Sequence, residues 1–340
     1  MRRTILSAAM ALSIAVPAQA QAQGTSPYDK LFVFGDSLVD AGNAQVLRAR
    51  AGGEDPAPAT LGYYEGRFSN GYNFADWVSR GIEGAPTVAS EKGGRNFSVG
   101  GAQAREVAGD LSPSFLDQVD SFRTSGQAFD ASSLVLVTLG GNDIRSELAK
   151  IGANPSYRPD FTATLTAMTD GLTSLYSLGA RNFVITGLPD VGQIPAVTQF
   201  NSPALSAAGR QMSLGLNGAF DLLATTFSRQ TGANARFFDL FDYQAAIYAD
   251  PSAYGLPEPL DTKTACLSTA DAPRCTGYVY FDQVHPTTRL HQAIGGGIAK
   301  ELGVSGVPEP ATWALMILGF GAVAGAMRRR TRVAAAPVAA

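Results

Sequence analysis

The chain has 340 residues, enough for one large domain or two small ones, and its 45% hydrophobic content allows a sizeable core. Its 26 basic and 29 acidic residues give a net charge of −3, which argues against a nucleic-acid partner because phosphate binding needs clustered positive charge. The chain contains only two histidines, His285 and His291, so any chemistry that needs an imidazole depends on one of them.

The first 22 residues have the pattern of a cleaved secretory signal. Arg2 and Arg3 precede an apolar run at 5–16, which ends in small residues at 18–22. The alternative is a buried N-terminal helix. We therefore predict an exported chain whose folded domain covers residues 23–306.

Five apolar, β-rich runs alternate with helical patterns along this domain. The predicted strands are Leu31–Phe34, Arg95–Val99, Leu134–Leu139, Asn182–Thr186 and Ala235–Leu240. The predicted helices are Gly71–Gly81, Ser114–Ser125, Asp160–Leu178, Ala204–Ser228 and Pro286–Leu302, the last with its proline in the first turn. This alternation predicts one α/β domain with three layers, α/β/α, around a doubly wound, parallel five-stranded sheet.

Polar residues and glycines follow the predicted strands. They are Ser37, Gly101, Asn142 and Asp190. Because open parallel sheets bind ligands at the carboxyl ends of their strands, we expect these residues to converge on one edge. Long loops at 44–67, 190–203 and 250–282 end at the same edge and would build the substrate pocket.

Ser37, Asp282 and His285 form a candidate set for nucleophilic catalysis. A serine hydroxyl is a weak nucleophile unless a base removes its proton, and a histidine does this near neutral pH. Asp282 lies three residues before His285, a spacing that lets its carboxylate hold one ring nitrogen while the other faces Ser37. Backbone N–H groups of Ser37 and Gly101 and the Asn142 amide could stabilise an oxyanion, each contributing about 3 kcal/mol.

Structural interpretations of the same residues stay open. Ser37 could only cap the following turn, and Asn142 could be only a turn residue. Arg67 could contact substrate or form a structural ion pair. His291 is expected at the surface, one turn into the last helix. The carboxylates expected to hold loops and caps are Asp36, Asp40 and Asp143.

The chain resembles the GDSL, or SGNH, hydrolases over residues 31–302. The matching blocks are 35–43 (GDSLVDAGN), 66–71 (GRFSNG, as in the plant and autotransporter-type branch), 96–102 (NFSVGGA), 140–143 (GGND) and 282–286 (DQVHP). The resemblance implies a flavodoxin-like fold, with Ser37 as nucleophile, His285 as base and Asp282 orienting it. It implies an oxyanion hole of Ser37, Gly101 and Asn142, in which Gly100 is the alternative glycine. The nucleophile elbow of α/β-hydrolases does not fit, because Val39 stands where its second glycine would be.

The two cysteines, Cys266 and Cys275, are expected to form a disulfide across a short loop in an exported chain. Two free thiols are the alternative. Two cysteines and two histidines scattered in this way do not suggest a zinc site. No metal or organic cofactor is implied.

The C-terminal tail, 307–340, contains a candidate membrane-spanning segment. Residues 311–327 are uncharged and mostly apolar, at the short limit for a span, and an arginine cluster at 328–332 follows them. A buried core helix is the alternative. Residues 307–310 (VPEP), the span and the arginines together resemble a PEP-CTERM sorting signal. The resemblance implies processing by an exosortase-like enzyme, membrane contact before processing, and a place in the envelope, at the surface or outside a Gram-negative bacterium.

Three functions are consistent with these observations. The first is an exported carboxylic esterase or lipase that hydrolyses a small-molecule or lipid ester through an acyl-serine intermediate. The second is removal of acetyl groups from an acetylated extracellular glycan. The third is a catalytically inactive, surface-anchored binding module. The presence of every expected catalytic residue argues against it.

Six basic residues and one acidic residue lie in the terminal segments, so the part between them has a net charge near −8.

Overall fold

The structure, a computed structural model, describes residues 26–304 and residue 319. In this part of the chain the main sheet has four parallel strands. In spatial order they are β1 (Lys30–Gly35), β2 (Ser133–Thr138), β3 (Asn182–Thr186) and β4 (Asn234–Phe238). A small separate sheet pairs β5 (Asp261–Ala265) with β6 (Tyr278–Tyr280). The predicted α/β class and parallel sheet are confirmed.

The predicted strand at 95–99 is not a full strand, so the expected fifth strand is a correction. This segment runs beside β1, where the Phe97 N–H donates to Val33 and the Val99 N–H donates to Gly35, but only Asn96 forms a bridge with β1. The Asn96 side chain accepts from the Ser98 N–H at 3.1 Å. Such local side-chain bonding competes with a regular ladder, and the segment remains an irregular edge next to β1.

Helices connect these strands and cover the sheet. They are α1 (Asn43–Arg50), α2 (Phe74–Glu83), α3 (Phe115–Thr124), α4 (Gly141–Ala153), α5 (Thr162–Ser177), α6 (Pro195–Thr198), α7 (Pro203–Thr231), α8 (Leu240–Ala249) and α9 (Thr288–Glu301). Helices α2, α8 and α9 pack together as one group, and α3, α4, α5 and α7 pack as another. Both α2 and α3 contact β1, which gives the three layers.

The core lies on both faces of the sheet, as the continuous apolar runs predicted. Every residue of β2 is buried, and β1 is buried from Leu31 onward. Strand β4, at the sheet edge, is partly exposed. Strands that are covered on both faces have no polar face, so the residues that carry chemistry lie beyond their carboxyl ends.

Helix α9 begins later than predicted. It starts at Thr288, whereas Pro286 forms an antiparallel bridge with Tyr280 instead of the helix's first turn. The signal sequence at 1–22 lies outside the described residues, and so does the tail segment at 311–327 apart from residue 319. None of the helices that the structure describes has the length and hydropathy needed to cross a membrane.

Candidate active site

Ser37 lies in a tight turn directly after β1. The Asp36 N–H donates to the Thr138 carbonyl at 3.1 Å, which continues the pairing with β2 by one residue. The Asp36 carboxylate then accepts from the Leu38 N–H at 3.0 Å, and its carbonyl accepts from the Asp40 N–H at 3.1 Å. These bonds bend the chain at Ser37, whose side chain is half-buried at the edge of the sheet.

Asp282 and His285 lie in a second tight turn, between β6 and α9. The Asp282 Oδ1 atom accepts from the backbone N–H groups of Val284 and His285, both at 2.8 Å. The Phe281 N–H donates to the His285 carbonyl at 2.8 Å, which closes the turn. The carboxylate and the imidazole therefore lie side by side, with Asp282 Oδ2 2.7 Å from His285 Nδ1.

The two turns meet. The His285 Nε2 atom lies 2.7 Å from the Ser37 Oγ atom, although the residues are 248 positions apart. Burial alone would raise the pKa of Asp282, but the facing imidazole and the hydrogen bonds to the carboxylate lower it to about 2. The carboxylate therefore stays charged at neutral pH, where it favours the ring tautomer that has its proton on Nδ1. This arrangement can remove a proton from the Ser37 hydroxyl.

Asp40 organises the loop that contains the two candidate oxyanion glycines. It is fully buried, and it accepts from the N–H groups of Gly42, Asn43 and Ala44 and from Gly100, the last at 2.8 Å. The Gly100 N–H is therefore already donated. The N–H groups of Ser37 and Gly101 have no acceptor among the described residues. Gly101 has φ +89°, a conformation that favours glycine.

Asn142 occupies the first turn of α4, immediately after the glycine pair that follows β2. Its Nδ2 donates one hydrogen bond to the Ala102 carbonyl at 2.9 Å, and its Oδ1 accepts from Arg145 at 3.1 Å. An amide nitrogen has two hydrogens, so one remains available for a ligand. Asn142 therefore bridges α4 to the loop of Gly101.

The segment 66–71 contacts both the turn that contains His285 and the loop that contains Gly100. The Phe68 ring lies 5.1 Å from the His285 ring, and a Cβ placed on Gly100 would lie 2.2 Å from that phenyl ring. The Ser69 hydroxyl donates to the Pro286 carbonyl at 2.9 Å, and Asn70 accepts from the Thr288 N–H at 2.9 Å. Sequence analysis singled out this segment but gave Phe68 no role.

Arg67 in the same segment forms a buried ion pair with Asp76, the structural alternative left open from the sequence. Its Nε lies 2.6 Å from Asp76 Oδ2, and both side chains are almost fully buried. The guanidinium also donates to the Thr87 carbonyl. Asp76 in addition completes the N-terminal cap of α2 with Asn73.

His291 was expected at the surface, and that expectation is wrong. It is 1% exposed, its ring lies 5.7 Å from the Phe74 ring, and burial lowers its pKa to about 3. Leu290, Ile294 and Ile298 are also buried, so this part of α9 is covered by α2. In the described structure, His285 is the histidine that bonds to Ser37.

Each of the three predicted loops has a contact with the turn that contains Asp282 and His285. Loop 44–67 provides Tyr63, whose hydroxyl donates to Asp282 at 2.8 Å, a contact with no sequence signal. Loop 190–203 donates from the Ala196 N–H to the Gln283 carbonyl at 2.8 Å. Loop 250–282 ends at Asp282 itself. Asp190, by contrast, caps a short helical turn and pairs with Arg210.

The loop before the turn of Asp282 and His285 contains a disulfide between Cys266 and Cys275. The two half-cystines and Phe281 form a small satellite core, against which Tyr63 and Tyr278 pack. Among the described residues no three His, Cys, Asp or Glu side chains are grouped in a way that could hold a metal ion. Asp143, expected to hold a loop, accepts from the Ala104 N–H and the Thr164 hydroxyl.

Comparisons with known proteins identify the family. The family model for GDSL-like lipase/acylhydrolase matches residues 31–298, and that for the PEP-CTERM protein-sorting motif matches 306–330. A GDSL esterase/lipase of Arabidopsis thaliana is 26% identical over 323 residues, covering 83% of this chain and 91% of the relative. Another, LTL1 of the same plant, is 29% identical over 319 residues, covering 77% and 84%.

Among solved structures, the acetylxylan esterase Axe2 of Geobacillus stearothermophilus is 13% identical with a TM-score of 0.43, over 82% of this chain and 96% of that one. The family model covers most of the chain and includes both turns of the site. The chain therefore belongs to the GDSL-like lipase/acylhydrolase family of hydrolases, and it carries a PEP-CTERM protein-sorting motif near its C-terminal end.

Proposed function

We propose that the protein hydrolyses carboxylic esters through an acyl-serine intermediate on Ser37. The observation that supports this most directly is the 2.7 Å contact between Ser37 Oγ and His285 Nε2, with Asp282 on the opposite ring nitrogen. His285 is the general base and Asp282 orients it. The substrate is a small-molecule or lipid ester, or an acetylated glycan.

The reaction has two halves. Ser37 Oγ attacks the ester carbonyl carbon while His285 takes its proton, and the tetrahedral oxyanion then collapses, expelling the alcohol, which receives that proton. Water next attacks the acyl-serine with His285 again as base. Release of the acid restores the Ser37 hydroxyl. No other reactant is required.

We assign the oxyanion hole to the N–H groups of Ser37 and Gly101 and to the Asn142 amide. Gly100 is the weaker candidate because its N–H is donated to Asp40 at 2.8 Å. A donor that is already bonded to a buried carboxylate would have to leave it in order to bind an oxyanion. The loss of one oxyanion donor typically lowers kcat by about 10²–10³-fold, so Asn142→Ala should lower kcat by a factor in that range.

The PEP-CTERM motif indicates export to the cell envelope or surface. We propose that an exosortase-like enzyme processes residues 307–340 after the tail has contacted the membrane, and that the producing cell is a Gram-negative bacterium. Mass spectrometry of the mature C-terminus tests this. A tail that is still present on protein purified from its native envelope would contradict the processing step.

The catalytic proposal is tested with Ser37→Ala and His285→Ala on short p-nitrophenyl esters. Each should lower kcat by about 10⁴-fold or more while thermal unfolding stays cooperative. The matched control is His291→Gln, which should retain activity because His291 is buried beside Phe74 and has no bond to Ser37 in the described structure. Substantial activity in folded Ser37→Ala would overturn the proposal.

A fluorophosphonate and a substrate panel extend the test. The fluorophosphonate should modify Ser37 and no other serine, which excludes an inactive binding module. Acetylated glycans and p-nitrophenyl esters of increasing acyl length then separate glycan deacetylation from lipid ester hydrolysis.

A further inference from the structure

Tyr63 contacts the candidate catalytic acid directly. Its phenol hydroxyl donates to Asp282 Oδ2 at 2.8 Å, from a residue 219 positions earlier in the chain. The oxygen that it contacts is also the one 2.7 Å from the His285 ring nitrogen. Tyr63 thus bonds to the carboxylate oxygen that lies nearer to the base.

Both oxygens of Asp282 accept hydrogen bonds, and the His285 Nδ1 atom lies 2.9 Å from Oδ1 and 2.7 Å from Oδ2. Oδ1 accepts the backbone N–H groups of Val284 and His285. Oδ2 accepts the imidazole and the Tyr63 phenol. A carboxylate has about four acceptor positions, so this set is complete, and the phenol is the member that comes from outside the turn. Without Tyr63, only the imidazole would hold Oδ2.

Two aromatic contacts fix the Tyr63 ring. It packs edge-on against Phe281, with ring centroids 5.0 Å apart, and against Phe68 at 6.5 Å. Phe281 immediately precedes the acid and belongs to the satellite core of Cys266 and Cys275. Phe68 contacts the His285 ring. Burial raises the pKa of Tyr63, and the Asp282 charge raises it further, so the phenol remains a donor at the pH of the reaction.

We propose that Tyr63 is a positioning residue that orients Asp282 and, through it, His285. This inference rests on the proposed function and deepens it. The phenol restricts rotation of the carboxylate about its Cβ–Cγ bond and withdraws negative charge from Oδ2. Both effects act on the base, since Asp282 sets the position and basicity of the imidazole.

The test is Tyr63→Phe, which removes the hydroxyl and keeps the ring against Phe281. We expect kcat to fall about tenfold, the lower end for a hydrogen bond to a charged group, with KM nearly unchanged. The acidic limb of the kcat profile should move to higher pH, because a carboxylate without this donor holds the imidazole proton more tightly. The matched control is Tyr64→Phe, whose phenol lies beside Tyr72.

A double-mutant cycle separates positioning from general destabilisation. If Tyr63 acts through Asp282, adding Tyr63→Phe to Asp282→Asn should lower the residual kcat by less than twofold. Asp36 and His291 also interact electrostatically with His285, but neither bonds to Tyr63 in the described residues, so the cycle reports on Asp282.

An unchanged pH profile and kcat in Tyr63→Phe would overturn this inference, and so would an equal loss in the Asp282→Asn background. Those outcomes leave the proposed function intact as long as activity still requires Ser37. If folded Ser37→Ala retains activity, the proposed function fails first.

Discussion

Replacing Arg67 with methionine should destabilise the protein strongly. The arginine side chain is 4% exposed and its Asp76 partner is fully buried, with Nε–Oδ2 and Nη2–Oδ1 distances of 2.6 and 3.0 Å. Asp76 also accepts from the Thr87 N–H and hydroxyl and from the Asn73 N–H. Arg67→Met would leave this buried carboxylate without its cation.

Removing one partner of a buried ion pair costs about 3–5 kcal/mol in the free energy of unfolding. For a domain of this size, each kcal/mol lowers Tm by about 2–4 °C, so Tm should fall by about 6–20 °C. The control is Arg123→Met, whose pair with Asp120 on α3 has side chains 52% and 65% exposed. That substitution should change the free energy by less than about 1 kcal/mol.

Two roles are open for Arg67 from the sequence: contact with substrate and a structural ion pair. Thermal and urea unfolding distinguish these roles when ester hydrolysis is also measured well below Tm. The structural role predicts lower stability with little change in KM. An Arg67→Met protein as stable as Arg123→Met, or one with raised KM and unchanged Tm, would refute the reasoning.

Three further perturbations test the packing around the site. Burial raises the pKa of Asp36 to about 7, so its contribution to stability is present below its ordinary pKa and is lost as pH rises through 7. In urea unfolding, the wild-type protein should therefore lose stability relative to Asp36→Asn between pH 5 and pH 8. An equal stability difference between the two proteins at both pH values would contradict this expectation. Replacing Cys266 and Cys275 with serine should lower the free energy of unfolding by about 2–3 kcal/mol and should also lower kcat. A variant with unchanged stability and unchanged kcat would show that the satellite core does not hold Asp282 in position. Gly100→Ala should lower kcat because its new Cβ displaces Phe68, and adding Phe68→Leu should partly restore kcat. If the losses of kcat from the two substitutions simply add, the contact does not have this role.

The strands and the order of the site residues were accessible from sequence because buried parallel strands are continuous apolar runs. The run at 182–186 was predicted with its observed bounds. The segment 95–99 was wrongly predicted as a strand because the Asn96 side chain forms a local hydrogen bond, which a count of apolar residues does not detect. Helix α1 was placed in a loop because only Asn43 and Ala44 of its residues are buried and it has no apolar stripe.

The two errors about single side chains have different causes. His291 lies three and seven residues before Ile294 and Ile298, a helical spacing that could have placed it on the buried face. Tyr63 had no comparable signal, because its position depends on how a long loop folds over the turn that contains Asp282. Periodicity predicts the faces of regular elements, whereas a contact between two loops depends on their final conformations.

The 248 residues that separate Ser37 from His285 also have a consequence for biosynthesis. At about 5–20 residues per second, a ribosome needs about 12–50 s to add the imidazole after the hydroxyl. In the proposed mechanism, a nascent chain therefore presents a serine without its base during most of its translation. If Ser37 and His285 act as proposed, the newly made protein cannot attack esters of its own cell until α9 has been synthesised and has docked against α2.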